Sequence, residues 1–293
     1  MINFVTYENI DFDKWDNCIS NCFNSNIYVQ SWYLNIVCEK WHALILNDYE
    51  AVMPLYERIK WGVPTIRQPL YCQQLGVFSI NTNIDVLKFI ESIPKKYRYI
   101  NINLNRHNNY SFFKEKKVNH ILFLDEDKSR IQNNYSNSTI KNINKALEKG
   151  FAISSLVDSS IKFCEHKAKL GKSYMNKRLL VAQEKIIDHC LKNRMGKIFS
   201  VSYQNKNCCS IFIMIHNNRL ILQSSYTNEI GKKNGAFFLL LDHIIKLEEY
   251  NNFTLDFEGS VLKGVAKRNI GFGAKETFYL TLEVRRFPFN LMK

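Results

Sequence analysis

The order of the predicted elements in the second half of the chain constrains the fold more than any single motif does. Hydrophobic periodicity predicts two helices, a three-stranded antiparallel meander, a helix, a strand, a short helix and a last strand. In chain order these elements lie at residues 159–170, 179–193, 198–203, 208–215, 220–225, 235–250, 254–258, 262–270 and 277–284. This order predicts an α+β fold whose sheet contains one crossover connection.

The first half of the chain follows a similar order. We predict a strand, a helix, a β-hairpin region, a polar strand region, a helix and a strand, at residues 3–7, 12–23, 29–56, 65–76, 84–93 and 99–104. A further helix at 139–149, closed by Gly150, lies in a charged stretch between the halves. We therefore predict two tandem domains, 1–135 and 136–293, with the last strand or tail packing on the first.

Length and composition are those of a folded protein large enough for two domains. The chain has 293 residues, of which 46% are hydrophobic and 13% aromatic, without a long tract of Pro, Gly or Ser. The residues after Met1 lack the pattern of a secretory signal, and the apolar run 236–241 is too short to span a bilayer. We therefore expect a cytoplasmic protein without a transmembrane segment.

The eight cysteines and seven histidines show no metal-binding or redox spacing. Cys18 and Cys22 lie four residues apart, and Cys208 and Cys209 lie within a predicted strand. In a chain without an export signal, such cysteines are expected to be reduced residues of the core. We predict no metal site.

The formal net charge of +13 at pH 7 favours anionic partners such as nucleotides, phosphates, RNA or an acidic membrane face. Part of this charge follows from a composition rich in Lys, Asn and Ile, which is typical of an AT-rich coding sequence. The charge therefore indicates a class of partner and does not identify one.

Two carboxylates stand in the predicted strand that precedes the last short helix. Successive side chains of a strand alternate between its faces, so we expect Asp256 and Glu258 on one face, about 7 Å apart. Burial of an unpaired carboxylate is costly, so both need partners or a polar cavity. Either they open into a cleft at the end of the strand, or they pair with Lys263, Lys267 or Arg268 on the next helix.

A predicted buried helix begins directly after a basic pair of lysines. Asn234, Gly235 and the following alanine start this helix with small residues, and Lys233 lies just before them. Because a helix N-terminus offers free donors and a positive dipole end, this turn is a candidate phosphate site. The alternative is an ordinary helix start in which Gly235 only allows close packing.

The polar strand region of the first half contains four uncharged hydrogen-bonding residues, namely Gln68, Tyr71, Gln73 and Gln74. Such a cluster can line a polar channel that recognises amides or sugars. It can equally mark an edge strand that faces water.

Together these segments resemble the Fem-type proteins, a family of tandem GNAT-fold aminoacyltransferases and acyltransferases. The second half carries the resemblance in "NGAFFLLLDHII", "LDFEGS" and "VAKRNIGFGA", followed by a strand. The junction "YSNSTIKNINKALEKGFAI" is similar to the family's pattern, and "SWYL", "AVMPL" and "QPLYCQQLG" are similar to the N-terminal half of its small bacterial members. The resemblance covers most of the chain and implies an α+β fold of two GNAT-like domains, with mixed sheets flanked by helices.

The resemblance also implies an N-acyltransferase, in which an acceptor amine attacks an activated acyl carbonyl in a cleft between the halves. It implies Glu258, with Asp256 as the second candidate, as the group that accepts the amine proton or orients the ammonium group. Backbone donors near Ser225 and Tyr226 would bind the carbonyl. The remaining assignments are donor binding by Lys233, Asn234 and Gly235, and acceptor binding by Trp32, Tyr71, Gln73 and Gln74.

The chain departs from the family pattern in ways that leave the donor open. Ile140-Lys141 replaces the expected Arg pair, a coiled-coil insertion that would contact tRNA is absent from the sequence, and residues 231–236 match the acyl-CoA phosphate loop only in part. We expect no tightly bound cofactor, and either an acyl-CoA or an aminoacyl-tRNA as co-substrate. The expected acceptor is a small metabolite or a peptidoglycan precursor, with peripheral membrane contact as an option.

A second hypothesis comes from a different class of protein. A non-catalytic, basic GNAT-like module that binds RNA or an anionic envelope precursor would have the same net charge and the same partial phosphate loop. Thermal shift with acetyl-CoA, CoA and tRNA distinguishes the two hypotheses, because tRNA binding without acyl transfer would favour the non-catalytic module.

Overall fold

A computed structural model of the protein describes residues 1–154, 159–170, 177–259 and 262–287. The chain divides into two compact units, which we call unit 1 (Met1–Val118 and Phe278–Lys293) and unit 2 (Asn119–Thr277). The predicted boundary after residue 135 falls inside unit 2, and the division of the chain into domains stays a prediction.

The strands alternate with helices along much of the chain. In chain order the strands are β1 (Ile2–Val5), β2 (Trp41–Leu46), β3 (Ala51–Lys60), β4 (Val63–Arg67), β5 (Phe78–Ser79), β6 (Tyr99–Asn103), β7 (Glu115–Phe123), β8 (Ala152–Ser154), β9 (Gly196–Tyr203), β10 (Lys206–His216), β11 (Arg219–Thr227), β12 (Thr254–Asp256) and β13 (Lys275–Arg285).

The helices flank these strands and are mostly short. In chain order they are α1 (Phe12–Asn21), α2 (Ser31–Val37), α3 (Val86–Glu91), α4 (Lys128–Gln132), α5 (Asn137–Lys149), α6 (Ser160–Leu170), α7 (Lys177–Lys192), α8 (Glu229–Lys233), α9 (Ala236–Lys246) and α10 (Lys263–Gly271). Single 3₁₀ turns occupy Tyr7–Asn9, Ile27–Val29 and Glu248–Tyr250.

Unit 1 contains a mixed sheet. Strands β1, β2, β3 and β4 pair antiparallel in that order, β4 pairs parallel with β6, and β6 pairs antiparallel with β13. The predicted hairpin of β2 and β3 and the predicted βαβ unit of β4, α3 and β6 are confirmed. The core of this unit packs the apolar side of α3, including Phe89, against sheet residues such as Met53, Ile66, Ile100 and Leu282.

Unit 2 contains the second mixed sheet. Strands β9, β10 and β11 form the predicted three-stranded antiparallel meander, and β8 pairs antiparallel with β9. Strand β11 pairs parallel with β12 through the α9 crossover, and β12 pairs antiparallel with β7. The first turns of α9 are apolar on every side, and Leu240, Leu241 and Ile244 are fully buried against the sheet. Helix α5 is capped as predicted, because Gly150 adopts φ 77° at its C-terminus.

The structure differs from the predicted elements at several segments, and β7, β8, α4 and α8 were not predicted. Residues 31–37 form helix α2, not part of a hairpin, because the buried side chains Ser31, Leu34 and Val37 recur at helical spacing. Residues 68–77 form an irregular loop, not a strand. Strand β12 ends at Asp256, two residues earlier than predicted.

Two further observations concern the whole of the described chain. Within it, no helix combines the length and apolarity needed to cross a bilayer. All eight cysteines are buried and carry free thiols, which confirms their prediction as core residues.

Candidate active site

The parallel strands of unit 2 pair over a short distance and then separate. Strand β11 pairs with β12 only from Arg219 opposite Thr254 to Ile221 opposite Asp256, whereas β11 continues along β10 to Thr227. The open edge of β11 therefore begins directly after this third pair. Open sheets bind ligands at such places, at the carboxyl ends of parallel strands next to a crossover.

A β-bulge lies at the start of this open edge. Phe212 on β10 faces Ser224, and Ile213 faces Leu222, so Gln223 is the extra residue on β11. A bulge twists its strand and redirects side chains, and bulges are frequent beside active sites. This bulge lies close to the place where β11 separates from β12.

The side chain of Gln223 has unused hydrogen-bonding capacity. Its Oε1 accepts from Nε2 of Gln183 on α7 at 3.3 Å. Its own Nε2 and the Oε1 of Gln183 are buried, and neither has a hydrogen-bond partner in the described part of the chain. Buried polar atoms without partners are uncommon in folded proteins. Here they place one donor and one acceptor beside the bulge.

A cation lies on the same side of the sheet. Lys167 on α6 is partly buried and donates to the hydroxyl of Ser224. Burial lowers the pKa of Lys167 to about 8, because the charged ammonium loses hydration. This lysine therefore exchanges its proton much closer to neutral pH than an ordinary lysine does.

A buried hydrogen-bond network continues from Ser224 towards the end of β11. The hydroxyl of Tyr226 donates to Asn207 Oδ1 at 2.7 Å, accepts from Ser210 Oγ at 3.0 Å and lies 3.0 Å from His166 Nδ1. Burial raises the pKa of Tyr226 to about 12 and lowers that of His166. Tyr226 is thus a neutral phenol held by several partners, which favours a positioning role for its side chain.

Asp256 is fully occupied by donors of unit 2. Its carboxylate accepts from Arg219 Nε at 2.9 Å and Nη2 at 2.7 Å, from Asn119 Nδ2 at 3.0 Å and from the backbone N–H of Glu258 at 2.9 Å. The side chain of Asp256 is 3% exposed. Asp256 therefore forms an ion pair, but its partner is Arg219 of the neighbouring strand and not Lys263, Lys267 or Arg268 of the next helix as anticipated. A catalytic role for Asp256 stays a prediction.

Glu258 does not share a strand face with Asp256. The chain leaves the extended conformation after Asp256, and Glu258 has φ 57° and a half-buried side chain. The expected same-face geometry was wrong, because the hydrogen bond from Glu258 N–H to the Asp256 carboxylate closes a local turn. Positive φ is uncommon for a non-glycine residue and is often found at functional sites. The base role of Glu258 stays a prediction.

The predicted phosphate turn is packed against α5. Gly235 has φ 75°, and a Cβ atom at this position would lie 2.3 Å from the carbonyl oxygen of Asn142. The side chain of Asn234 donates to Ile230 O at 2.9 Å, while Lys233 is exposed. These contacts give Gly235 the close-packing role that we considered as the alternative. Donor binding by this turn stays a prediction.

A second cationic group lies beside the first turn of α9. The guanidinium carbon of Arg268 on α10 lies 4.1 Å from the centre of the Phe237 ring, and Nη2 donates to Asn269 Oδ1 at 3.0 Å. Asn269 is fully buried, and its Nδ2 has no hydrogen-bond partner in the ranges described above. Burial lowers the pKa of Arg268 to about 10. Arg268 and Asn269 together present adjacent donors suited to an anion.

The predicted acceptor residues belong to unit 1 and meet around one loop. Trp32 packs edge-on against Tyr33, whose hydroxyl donates to the carbonyl of Tyr71 at 2.6 Å. Gln74 is buried, donates to Gln73 Oε1 at 2.7 Å and accepts from a backbone N–H. Tyr71, Gln73 and Gln74 thus lie in one loop, and Trp32 is linked to that loop through Tyr33. Their contact with an acceptor stays a prediction.

Sequence reasoning missed several polar residues near the open edge of β11 and the start of α9, namely Lys167, Gln183, Arg219, Gln223 and Asn269. Gln183 and Lys167 lie on helices whose polar residues resemble any solvated helix face, so the sequence held no signal for them. Gln223 stands in an alternating strand, and only the register of β10 reveals the bulge. Arg268 was considered only as an ion-pair partner.

Several solved structures have a fold similar to that of this chain. FemX matches with a TM-score of 0.67 at 11% sequence identity, over 97% of this chain and 98% of that chain. L-PGS from Bacillus licheniformis matches with a TM-score of 0.56 at 10% identity, over 94% and 92%. A tandem GNAT protein from the clavulanic acid biosynthesis pathway matches with a TM-score of 0.51 at 8% identity, over 97% and 98%. No protein-family model and no curated protein matches the sequence.

These likenesses confirm the predicted fold class. The chain has the tandem GNAT-like fold, with mixed sheets flanked by helices, and the resemblance to Fem-type proteins is confirmed at the level of the fold. The low identities mean that the shared property is the fold, while activity follows from the site.

Proposed function

We propose that the protein is an N-acyltransferase that binds an activated acyl group at the open edge of β11 and transfers it to an amine. The observation that carries the proposal is the separation of β11 from β12, with the bulge residue Gln223 at the opening and its Nε2 group without a partner among the described residues. An acyl donor of extended shape can pair with backbone groups along such an edge.

Acyl transfer requires a polarised carbonyl, a neutral amine and a leaving group that receives a proton. In this proposal, backbone donors near Ser225 and the Nε2 group of Gln223, both on β11, hydrogen-bond the carbonyl oxygen as it becomes an oxyanion. The acceptor nitrogen forms the new C–N bond and loses a proton to Glu258 or to water. The C–S or C–O bond to the donor then breaks.

The leaving group needs a proton donor close to the open edge. Lys167, with a pKa of about 8, is mainly protonated at neutral pH, and its ammonium contacts Ser224 on β11. It can therefore supply a proton to a departing thiolate or alkoxide, or stabilise the charge that develops on it.

The donor is an acyl-CoA or an aminoacyl-tRNA, both of which carry phosphates. The structure of the tandem GNAT protein from the clavulanic acid biosynthesis pathway is one without AcCoA. That AcCoA is named for this neighbour supports a CoA thioester as the first donor to test. Arg268 and exposed Lys233 supply positive charge near the start of α9 for donor phosphates, together with Asn234 and Gly235 as predicted. We assign the acceptor, a small amine or a peptidoglycan precursor, to Trp32, Tyr71, Gln73 and Gln74.

Thermal unfolding with acetyl-CoA, CoA and aminoacyl-tRNA tests the donor site, because a ligand that binds only the folded state raises the unfolding temperature. We expect one donor class to stabilise the protein and to yield acylated amine, detected by mass spectrometry. Stabilisation by none of them would contradict the proposal. Binding of tRNA without acyl transfer would favour the non-catalytic RNA-binding module.

The role of Glu258 is tested separately with a matched glutamate. We expect Glu258→Gln to abolish turnover while the circular dichroism spectrum stays unchanged. Glu148, exposed on α5, is the control, and Glu148→Gln should leave turnover as in the wild type. Wild-type turnover in Glu258→Gln would make Glu258 a structural residue and leave proton removal to water.

A further inference from the structure

The hairpin that joins β3 and β4 in unit 1 projects apolar side chains into solvent. Ile59 is 70% exposed and Trp61 is 69% exposed. The two residues flank Lys60, and a Cβ atom built on Gly62 would meet no atom within 4 Å. Scattered apolar residues are normal on protein surfaces, but two bulky ones at an uncrowded hairpin tip form an unusual protrusion.

The first residue of the two-residue turn, Trp61, is one that a stable hairpin would not select. Trp61 has φ 51° and Gly62 has φ 74°, the conformation that two-residue hairpin turns fill with Asn-Gly or Asp-Gly. A bulky side chain with positive φ is strained. Tryptophan at this position therefore costs local stability, which suggests that it is present for binding.

Cations surround the apolar tip. Lys60 Nζ lies 4.2 Å from the centre of the Trp61 ring, and Arg58 precedes Ile59. The exposed Arg98 lies close to the base of this hairpin. Its backbone N–H donates to the carbonyl of Pro64, which is the residue opposite Ile59.

Carboxylates balance only part of this charge. Glu39 pairs with Arg58 at 2.9 Å, and the side chain of Glu57, 12% exposed, is shared by Lys40 and Lys96 at 3.8 Å each. Lys60 and Arg98 have no carboxylate within ion-pair distance in the described part of the chain. The tip therefore presents apolar side chains inside a ring of net positive charge.

From this geometry we infer that the β3–β4 hairpin docks the protein on an anionic phospholipid bilayer. Tryptophan prefers the interface between headgroups and acyl chains, and isoleucine gains from insertion below it. Lys60 and Arg98 remain at the level of the anionic headgroups, with their aliphatic stems along the apolar tip. The inference does not depend on the acyl-transfer proposal, because it uses a different unit and a different chemistry.

A nucleic acid is the other polyanion that a basic, aromatic surface can bind. Its bases would stack on Trp61, but the exposed aliphatic side chain of Ile59 offers nothing to a base or a phosphate. The alternation of aliphatic, cationic and aromatic residues at one tip fits an interface with an apolar interior better than it fits a polar strand of RNA.

The experiment uses the full chain and vesicles of phosphatidylcholine with or without phosphatidylglycerol. We expect sedimentation with the anionic vesicles only, and quenching of tryptophan fluorescence by brominated acyl chains. Trp61→Asn should weaken sedimentation at least about tenfold, since it removes one inserted side chain. Lys60→Gln should weaken it about fivefold.

Two controls separate binding from folding. Asparagine suits the positive φ at position 61, so Trp61→Asn should unfold at the wild-type temperature or above it. Phe112, an aromatic residue of unit 1 that is 76% exposed, is the matched surface control, and Phe112→Asn should bind vesicles like the wild type. Equal vesicle binding by Trp61→Asn and the wild type would overturn the inference. So would quenching of Trp61 by tRNA without sedimentation on vesicles.

Discussion

Both units contain a pair of parallel strands joined by a helical crossover, and the two pairs end differently. In unit 1, β4 pairs with β6 over three residues, from Thr65 to Arg67, and in unit 2, β11 pairs with β12 over three residues, from Arg219 to Ile221. A glutamine follows in each case, Gln68 in unit 1 and Gln223 in unit 2. Beyond the last paired residue the two strands separate and leave an opening. The contacts of the two glutamines show whether the backbone groups in each opening are hydrogen-bonded.

The opening in unit 1 is filled by the loop 68–77. Gln68 Oε1 accepts from the backbone N–H of Asn103 at 2.9 Å, and Leu75 N–H donates to the carbonyl of Asn103 at 2.8 Å. The Asn103 side chain in turn donates to Gln73 O at 2.9 Å. The backbone groups that β4 leaves unpaired on β6 are therefore satisfied from within the protein.

The opening in unit 2 contains buried polar groups that have no hydrogen-bond partner among the described residues. Gln223 stands at a bulge, and its Nε2 and the Oε1 of Gln183 have no partner in the described residues. An unsatisfied buried group costs stability, so its persistence needs a compensating function. Under the proposed function, the same strand arrangement serves structure in unit 1 and ligand binding in unit 2.

The largest expected effect comes from the ion pair that holds the end of the unit 2 parallel strands. Arg219→Ala leaves Asp256 buried without its cation and should lower the free energy of unfolding by about 3 kcal/mol or more. Lys197, which pairs with Glu249 at 2.8 Å while both are about half exposed, is the control. Lys197→Ala should cost less than about 1 kcal/mol in the same urea titration. Similar losses in both variants would show that Arg219 does not secure the opening.

The next effect concerns the loop that closes unit 1. Gly76 has φ 95°, and a Cβ atom there would lie 2.2 Å from Oδ1 of Asn108, which accepts from Val77 N–H at 2.8 Å. Gly76→Ala should therefore cost about 2 to 3 kcal/mol through strain and a displaced hydrogen bond. Gly150, with φ 77° and open space around it, isolates the strain alone, and Gly150→Ala should cost about 1 kcal/mol. Equal losses of unfolding free energy in Gly76→Ala and Gly150→Ala would mean that the loop 68–77 accommodates the new side chain without losing the hydrogen bond of Asn108.

The two glutamines test the comparison directly. Gln68→Ala removes the acceptor of a backbone N–H and should lower stability by about 1 to 2 kcal/mol without changing the turnover number. Gln223→Ala leaves the buried Nε2 of Gln183 without its acceptor, so stability should also fall by about 1 to 2 kcal/mol, but turnover should fall roughly tenfold to a hundredfold. Lowered turnover in Gln68→Ala with wild-type turnover in Gln223→Ala would place the functional opening in unit 1.

Sequence periodicity predicted most of the fold because the elements of both units bury one side. The meander of unit 2 and the α9 crossover followed from alternating and fully apolar runs, which the sheet geometry requires. Most of the loop 68–77 was predicted as part of a strand region that carries several polar residues in an otherwise apolar run. Its actual conformation depends on hydrogen bonds to Asn103, a contact between distant residues that no local pattern records.

The candidate site was predicted only in part, for the same physical reason. Asp256 needed a cation, and the sequence offered the next helix, but the structure supplies Arg219 through the parallel register of β11 and β12. Gln223 became notable only when the register of β10 exposed the bulge. Long-range register sets these contacts, while local sequence sets the elements that make them.

The smallest expected effect is the pH dependence that Lys167 adds at the unit 2 opening. Its pKa in the folded protein is about 8, below the ordinary value of 10.5, so the unfolded chain binds more protons between these pH values. Stability should therefore rise from about pH 8 to pH 10 in the wild type, by on the order of 1 kcal/mol relative to Lys167→Met. Lys162, exposed on the same helix, is the control, and Lys162→Met should keep the wild-type rise. A rise that persists in Lys167→Met would assign the titration to another group and leave Lys167 an ordinary surface amine.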